Sequence, residues 1–174
     1  MSSSKKFMVG AVLFAMSLSS AAFAASTHKG TAQAKVTVVS ETNALTTSSN
    51  AFVDLPGGVV AITVPANKKQ LITTRYTAES ICAGPTAGNW CSVRIVVVDS
   101  SNATTELSPA SGFDYAFDAV NSPQTFWQGH AVDRSIVLAS GTYFVKVQWG
   151  VTDPASTFRL DDWSFTVTQS NGGN

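Results

Sequence analysis

One histidine, His130, stands in the part of the chain able to fold, since the other, His28, lies in a small polar stretch near the start. With Asp133 and a serine it supplies the residue types of a nucleophilic triad, in which histidine takes the serine proton and a carboxylate orients the ring. The serine side is missing, because no Gly-x-Ser-x-Gly elbow occurs. A histidine hydrogen-bonded within a sheet is the plainer expectation for His130. Carboxylates form the second set. Asp114 and Asp118 fall on one face of an expected strand, Asp133 lies on another element, and Asp161 and Asp162 interrupt the last one. Brought together, they would bind calcium through hard oxygen ligands or serve as acid and base on a sugar. No Asp-x-Asp-x-Asp-Gly loop and no His-Glu-x-x-His motif is present. Ion pairs with Arg75, Arg94, Arg134 and Arg159 therefore compete with both ideas, Glu79 being the expected partner of the strand arginines Arg75 and Arg94.

Aromatic side chains are the third set, because a flat π-face suits the apolar side of a pyranose and an indole N–H can bond a hydroxyl. Trp149 and Trp163 fall on apolar strand faces and are assigned to packing. Trp90 and Trp127, near turns and beside polar residues, are the candidate binding aromatics. A phosphate loop is absent, since Pro56-Gly57-Gly58 is followed by neither a helix nor a lysine.

The elements that must carry these groups are strands. Tyr143, Val145, Val147, Trp149 and Val151 alternate with Lys146 and Gln148, which is the period of a half-buried strand. Residues 35–40, 51–55, 59–64, 70–79, 113–117, 126–135 and 158–167 have similar character, and 90–99 is apolar on both sides, as a covered central strand would be. Turn signals such as Pro56-Gly57-Gly58, Asn121-Ser122-Pro123 and Ala139-Ser140-Gly141 divide them. No stretch keeps helical spacing. The expected fold is all-β, a two-sheet antiparallel β-sandwich of jelly-roll character.

Residues 1–24 have the marks of a secretory signal peptide: Lys5 and Lys6, then an uncharged apolar run, then Ala22-Phe23-Ala24 as cleavage site. Its apolar run is about 12 residues, short of the roughly 20 that span a bilayer. The expected mature chain is a flexible arm over 25–34, one domain over 35–169 and a disordered tail over 170–174. Without Lys5 and Lys6, nine basic side chains face eleven acidic ones, so the net charge is 9 − 11 = −2. That balance points away from nucleic acid. An exported chain meets oxidising conditions, and Cys82 and Cys91 flank a turn-rich stretch, so they are expected to form a disulfide.

The blocks around Cys82 and Cys91, Gly129-His130-Ala131-Val132-Asp133-Arg134-Ser135, residues 141–149 and Arg159-Leu160-Asp161-Asp162-Trp163-Ser164 resemble a group of secreted bacterial proteins to which no activity is assigned. A Gly-Thr-Tyr strand ending in Val-Gln-Trp and followed by a last strand is similar to the final hairpin of C1q and tumour-necrosis-factor-like jelly rolls. That second resemblance implies a jelly roll used for binding, as a homotrimer. The expected function is an exported, non-enzymatic module, secreted or periplasmic, that binds a surface glycan or protein. Two alternatives follow from the same residues: a small hydrolase of polysaccharide or ester using His130 and the aspartates, and a structural subunit of an extracellular assembly.

Overall fold

The computed structural model describes residues 30–121 and 126–173; the expected signal peptide lies outside the described residues. The described chain is built of antiparallel strands and one 3₁₀ turn: β1 (Gly30–Glu41), β2 (Leu45–Thr47), β3 (Val53–Ala83), β4 (Trp90–Val98), β5 (Thr104–Glu106), the turn Gly112–Asp114, β6 (Asp118–Ala119), β7 (Gln128–Val151) and β8 (Thr157–Gly173). No helix among the described residues is long and apolar enough to cross a membrane.

Two strands are far longer than the sequence periods suggest. β3 takes in what reads as three strands, and β7 takes in two. The expected stops become bends. β3 and β7 pair along most of their lengths, with register shifts between Asp54 and Val59 and between Val64 and Lys69, where the extra residues of Pro56-Gly57-Gly58 and Pro65-Ala66-Asn67-Lys68 bulge out. A bulge kinks and twists its strand without ending the ladder. At the second bend, Gly141 takes φ +157 and the Tyr143 hydroxyl donates to the Ala139 carbonyl at 3.1 Å, which closes the corner on the β7 side.

These bends double one continuous sheet into two layers. The first runs in the order 128–139 of β7, 69–83 of β3, β8 and β1; the second runs 53–64 of β3, 141–151 of β7, β4 and β5. With the long strands counted by halves, each layer has four strands along its main path, β2 adding a short pair to β8 in the first and β6 a short pair to β4 in the second, and the main order is that of a jelly roll. Alternate side chains meet in one core between the layers. Ile62, Val93, Ile95, Val145 and Val147 enter it from the second layer, and Ile72, Tyr76, Phe158, Leu160 and Phe165 from the first. Trp149 meets Phe158 across the interface at 5.7 Å between ring centres. Trp149 and Trp163 are both buried, as their strand faces imply.

Cys82, at the end of β3 in the first layer, is bonded to Cys91 of β4 in the second, with 5.8 Å between Cα atoms. The bridge therefore ties the two layers where the chain crosses between them. One expectation is corrected. Residues 113–117 are not a strand: Gly112–Asp114 is a 3₁₀ turn, so Asp114 and Asp118 share no strand face. Backbone pairing also extends beyond the alternating residues, with Gly30 opposite Gly173 and Ala32 opposite Asn171, because a ladder needs main-chain groups and no apolar side chain.

Candidate functional site

The histidine and carboxylates separate into unrelated places. Asp118 is buried beside the disulfide: its Oδ2 accepts the Ser80 hydroxyl at 2.7 Å and its Oδ1 accepts the Ala119 N–H at 2.7 Å. His130 Nε2 lies 3.9 Å from that Oδ1, near enough for charge attraction and too far for a hydrogen bond, and its ring packs on Phe117. A triad needs the imidazole between serine and carboxylate. Here the carboxylate stands between serine and imidazole, so the Ser80 hydroxyl donates its hydrogen bond to Asp118 and His130 is not placed to take the serine proton. The Ser80–Asp118 bond joins the first layer to β6, which pairs with β4 of the second. It acts as a polar clamp between layers.

Asp114 is exposed in the 3₁₀ turn, and Asp162 is exposed at a bulge of β8 with φ +42, its N–H donating to Asp161 Oδ1. Asp133 stands across the ladder from Arg75, on the outer face of the first layer. Among the described residues no three His, Cys, Asp or Glu side chains come together as metal ligands would. Arg75 and Arg94 do not pair with Glu79 as expected. Four residues along a strand span about 13 Å, so Arg75 has Asp133 and Thr166 as lateral neighbours, while Arg94 Nη1 lies 3.7 Å from Glu106 Oε2.

That outer face of the first layer is polar and open. Its cross-strand rows read Ser135, Thr73, Thr168 and then Asp133, Arg75, Thr166, with a depression of about 380 Å³ over them. Trp127 is 39 % exposed at one end, with the Arg159 guanidinium 5.0 Å from its ring centre. Trp90 is half-buried, its indole N–H donating to the Phe113 carbonyl at 2.6 Å.

A more organised arrangement lies on the outer face of the second layer, on residues of which the sequence singled out only Arg94, as an ion-pair former. With Val145, Val147 and Trp149 turned into the core, Phe144, Lys146 and Gln148 must point outward. Asp54 stands opposite Gln148, and Val59 opposite Lys146. Lys146 Nζ donates to Asp54 Oδ2 and Gln148 Nε2 donates to Asp54 Oδ1, both at 2.7 Å. Arg94 Nε donates to Gln148 Oε1 at 2.9 Å and reaches Glu106 on its other side. Glu106 in turn accepts the Ser111 and Gly112 N–H groups. The Arg94 guanidinium also lies 4.2 Å over Phe52, which stacks on Phe113 at 3.9 Å.

This is a fixed polar chain across four strands. Partial burial pushes the Asp54 carboxyl up, but the hydrogen bonds from Lys146 and Gln148 and the Lys146 charge outweigh it and hold the group below the usual carboxylate range. Beside the chain, Asp54, Leu55, Gly58, Val59, Phe144 and Lys146 line a groove of about 310 Å³. The bulge at Pro56-Gly57-Gly58, with Gly57 at φ +77, separates Asp54 from Val59 along β3 and so gives the groove its width. Phe144 forms its aromatic wall at 47 % exposure. An anion and a cation fixed side by side next to an open ring can accept a hydrogen bond from one hydroxyl, donate one to the adjacent oxygen and cover an apolar C–H face.

No family model matches the chain, and no curated protein does. Among solved structures, it is similar to the CBM22-1 xylan-binding domain of Paenibacillus barcinonensis Xyn10C, with 15% identity over 79% of this chain and 84% of that one and a TM-score of 0.32. It is also similar to an α-amino acid ester hydrolase, with 14% identity over 68% of this chain and 26% of that one and a TM-score of 0.27. At these scores neither likeness carries an argument about site or activity.

Proposed function

We propose that the protein is an exported glycan-binding module that holds a neutral polysaccharide in the groove between Asp54 and Phe144. The observation that carries this reading is the pair of 2.7 Å hydrogen bonds that fix Asp54 between Lys146 and Gln148 beside an exposed aromatic ring. Such a clamp meets a vicinal diol without rearranging, which limits the ordering cost of binding. Asp54 is the one carboxylate among the residues lining the groove, and it is already neutralised by Lys146. Glycoside hydrolysis needs two carboxylates with different tasks, so binding without cleavage fits this lining better. Export is supported by the Cys82–Cys91 bridge, since disulfides persist in oxidising compartments.

The test is a glycan array followed by calorimetry on the best ligand. Phe144→Ala and Lys146→Met are each expected to weaken binding at least tenfold while leaving the melting temperature within about 2 °C, since both side chains are partly exposed. Trp127→Ala reports on the other face, where an exposed indole supports a second reading of the same activity. Loss of binding in Trp127→Ala with full binding in Phe144→Ala would move the site to the first layer. A purified, folded protein that retains no glycan at all would remove the proposal.

A further inference from the structure

A jelly roll of two open layers has four edges, and three of them here are blunted. β5 is only three residues long. The 128–139 edge of β7 is occupied at its centre by Ser108, which exchanges both main-chain hydrogen bonds with Ser135 at 2.9 and 3.0 Å. The 59–64 edge of β3 lies between two bulges that contain Pro56 and Pro65. Bulges, prolines and short strands are the usual means of keeping an edge from pairing with another chain.

β1 is different. It pairs only with β8 among the described residues, and after one register shift between Gln33 and Lys35 it runs regularly to Glu41. Its segment Val36-Thr37-Val38-Val39-Ser40 is uncharged, with Val36 44 % and Val38 56 % exposed. The charges sit at the ends: Lys35 is exposed at one, and Glu41 is fixed at the other, its Oε1 accepting the Thr42 and Asn43 N–H groups at 2.9 and 3.1 Å.

We propose that this edge pairs with β1 of a second copy of the chain, antiparallel, about a two-fold axis through Val38. In that register Val38 faces Val38 of the second copy, Val36 faces Ser40, and Lys35 of each chain falls opposite Glu41 of the other, twice. An isologous contact must be self-complementary in this way, so that residue i meets j and j meets i. The uncharged centre with opposite charges at equal distances on either side meets that condition, and the open row of main-chain donors and acceptors supplies the hydrogen bonds. The contact closes at two chains, which sets it apart from the homotrimer implied by the C1q-like resemblance. It does not depend on the glycan reading.

Multi-angle light scattering on the mature protein, from a few micromolar to several hundred micromolar, is expected to show a monomer passing to a dimer. Val38→Lys places two like charges on the axis and is expected to stay monomeric over the whole range, with an unchanged circular dichroism spectrum because Val38 is exposed. Val38→Cys is expected to form a symmetric disulfide-linked dimer at least tenfold faster than Val53→Cys, which also carries an exposed valine but lies on another strand. A strictly monomeric or a trimeric wild type, a dimer that survives Val38→Lys, or equal cross-linking of the two cysteine variants would each overturn the proposal.

Discussion

At Asp54 two opposing effects act on one carboxyl, and their balance sets a pH dependence. Partial burial favours the protonated form, whereas hydrogen bonds from Lys146 and Gln148 and the lysine charge favour the anion and prevail. A folded-state pKa below the unfolded one means that the stabilisation is complete above the ordinary carboxylate range and is lost as pH falls through it. With the Asp54 side chain half exposed, solvent screening keeps the contribution below about 1 kcal/mol. Glu41, held low by the Thr42 and Asn43 N–H groups, and Asp99, held low by the Ser101 hydroxyl and the Ala103 N–H, act in the same direction. Urea midpoints measured from pH 7 to pH 2.5 are expected to fall below about pH 4, and Asp54→Asn is expected to flatten part of that fall. Glycan affinity should decline in the same window, because protonated Asp54 no longer holds Lys146. Asp118 bears on stability through a buried hydrogen bond. Asp118→Ala leaves the Ser80 hydroxyl without its acceptor between the layers, and a loss of roughly 2 to 4 kcal/mol is expected in denaturant titration. A catalytic role would instead predict lost activity at unchanged stability.

At the scale of the element, the corner of β7 decides how the layers face each other. Gly141 adopts φ +157, and a Cβ there would come within 3.1 Å of the Tyr143 ring, whose hydroxyl is bonded back to Ala139. Gly141→Val is expected to cost about 2 kcal/mol, and Tyr143→Phe about 1 kcal/mol for the lost hydrogen bond, both read as lowered melting temperatures. The same corner shows what the amino-acid pattern could convey. Alternation from Tyr143 to Val151 was legible because it reports which side meets the core. Ala139-Ser140-Gly141 and Pro56-Gly57-Gly58 were legible as turn chemistry, yet a turn signal is the same whether the chain reverses or bulges within a ladder. That choice is made by a partner strand far away in sequence. For this reason five expected strands became β3 and β7. Residues 113–117 failed differently: Phe113, Tyr115 and Phe117 alternate like strand residues, but Phe113 is drawn into a stack with Phe52. The groove had one local sign, since Phe144 is an apolar residue in the phase otherwise held by Lys146 and Gln148. An aromatic out of phase marks a surface where exposure serves something other than packing. Asp54 gave no such sign, because only the register of β3 against β7 brings it to Lys146.

For the molecule as a whole, nearly every ladder joins distant parts of the chain: β1 pairs with β8, and β3 with both β7 and β8. Such a topology pays its loop-closure entropy before contacts compensate it, so anything that shortens a loop in the unfolded chain matters. The Cys82–Cys91 bridge is the covalent link that does so, closing a separation of nine residues where β3 leaves one layer and β4 enters the other. In the chain-entropy picture a loop of that size contributes roughly 2 to 3 kcal/mol. Both sulfurs lie within the core, next to the Ser80–Asp118 clamp, and the clamp holds the same crossing by a hydrogen bond. The folded arrangement should therefore survive reduction at neutral pH and low temperature, because clamp and core remain. Equilibrium urea unfolding with and without reductant is expected to show a lower midpoint on reduction, equivalent to roughly 2 to 3 kcal/mol, at an unchanged slope. Glycan affinity measured under the same native reducing conditions should stay within about twofold, since the groove is formed by side chains on the outer face of the second layer, away from the sulfurs. Combining reduction with Asp118→Ala removes both ties across one crossing. The pair is expected to cost more than the sum of its parts, since coupled restraints on a shared structure are not additive. Simple additivity in that double cycle would mean that bridge and clamp secure the two layers independently.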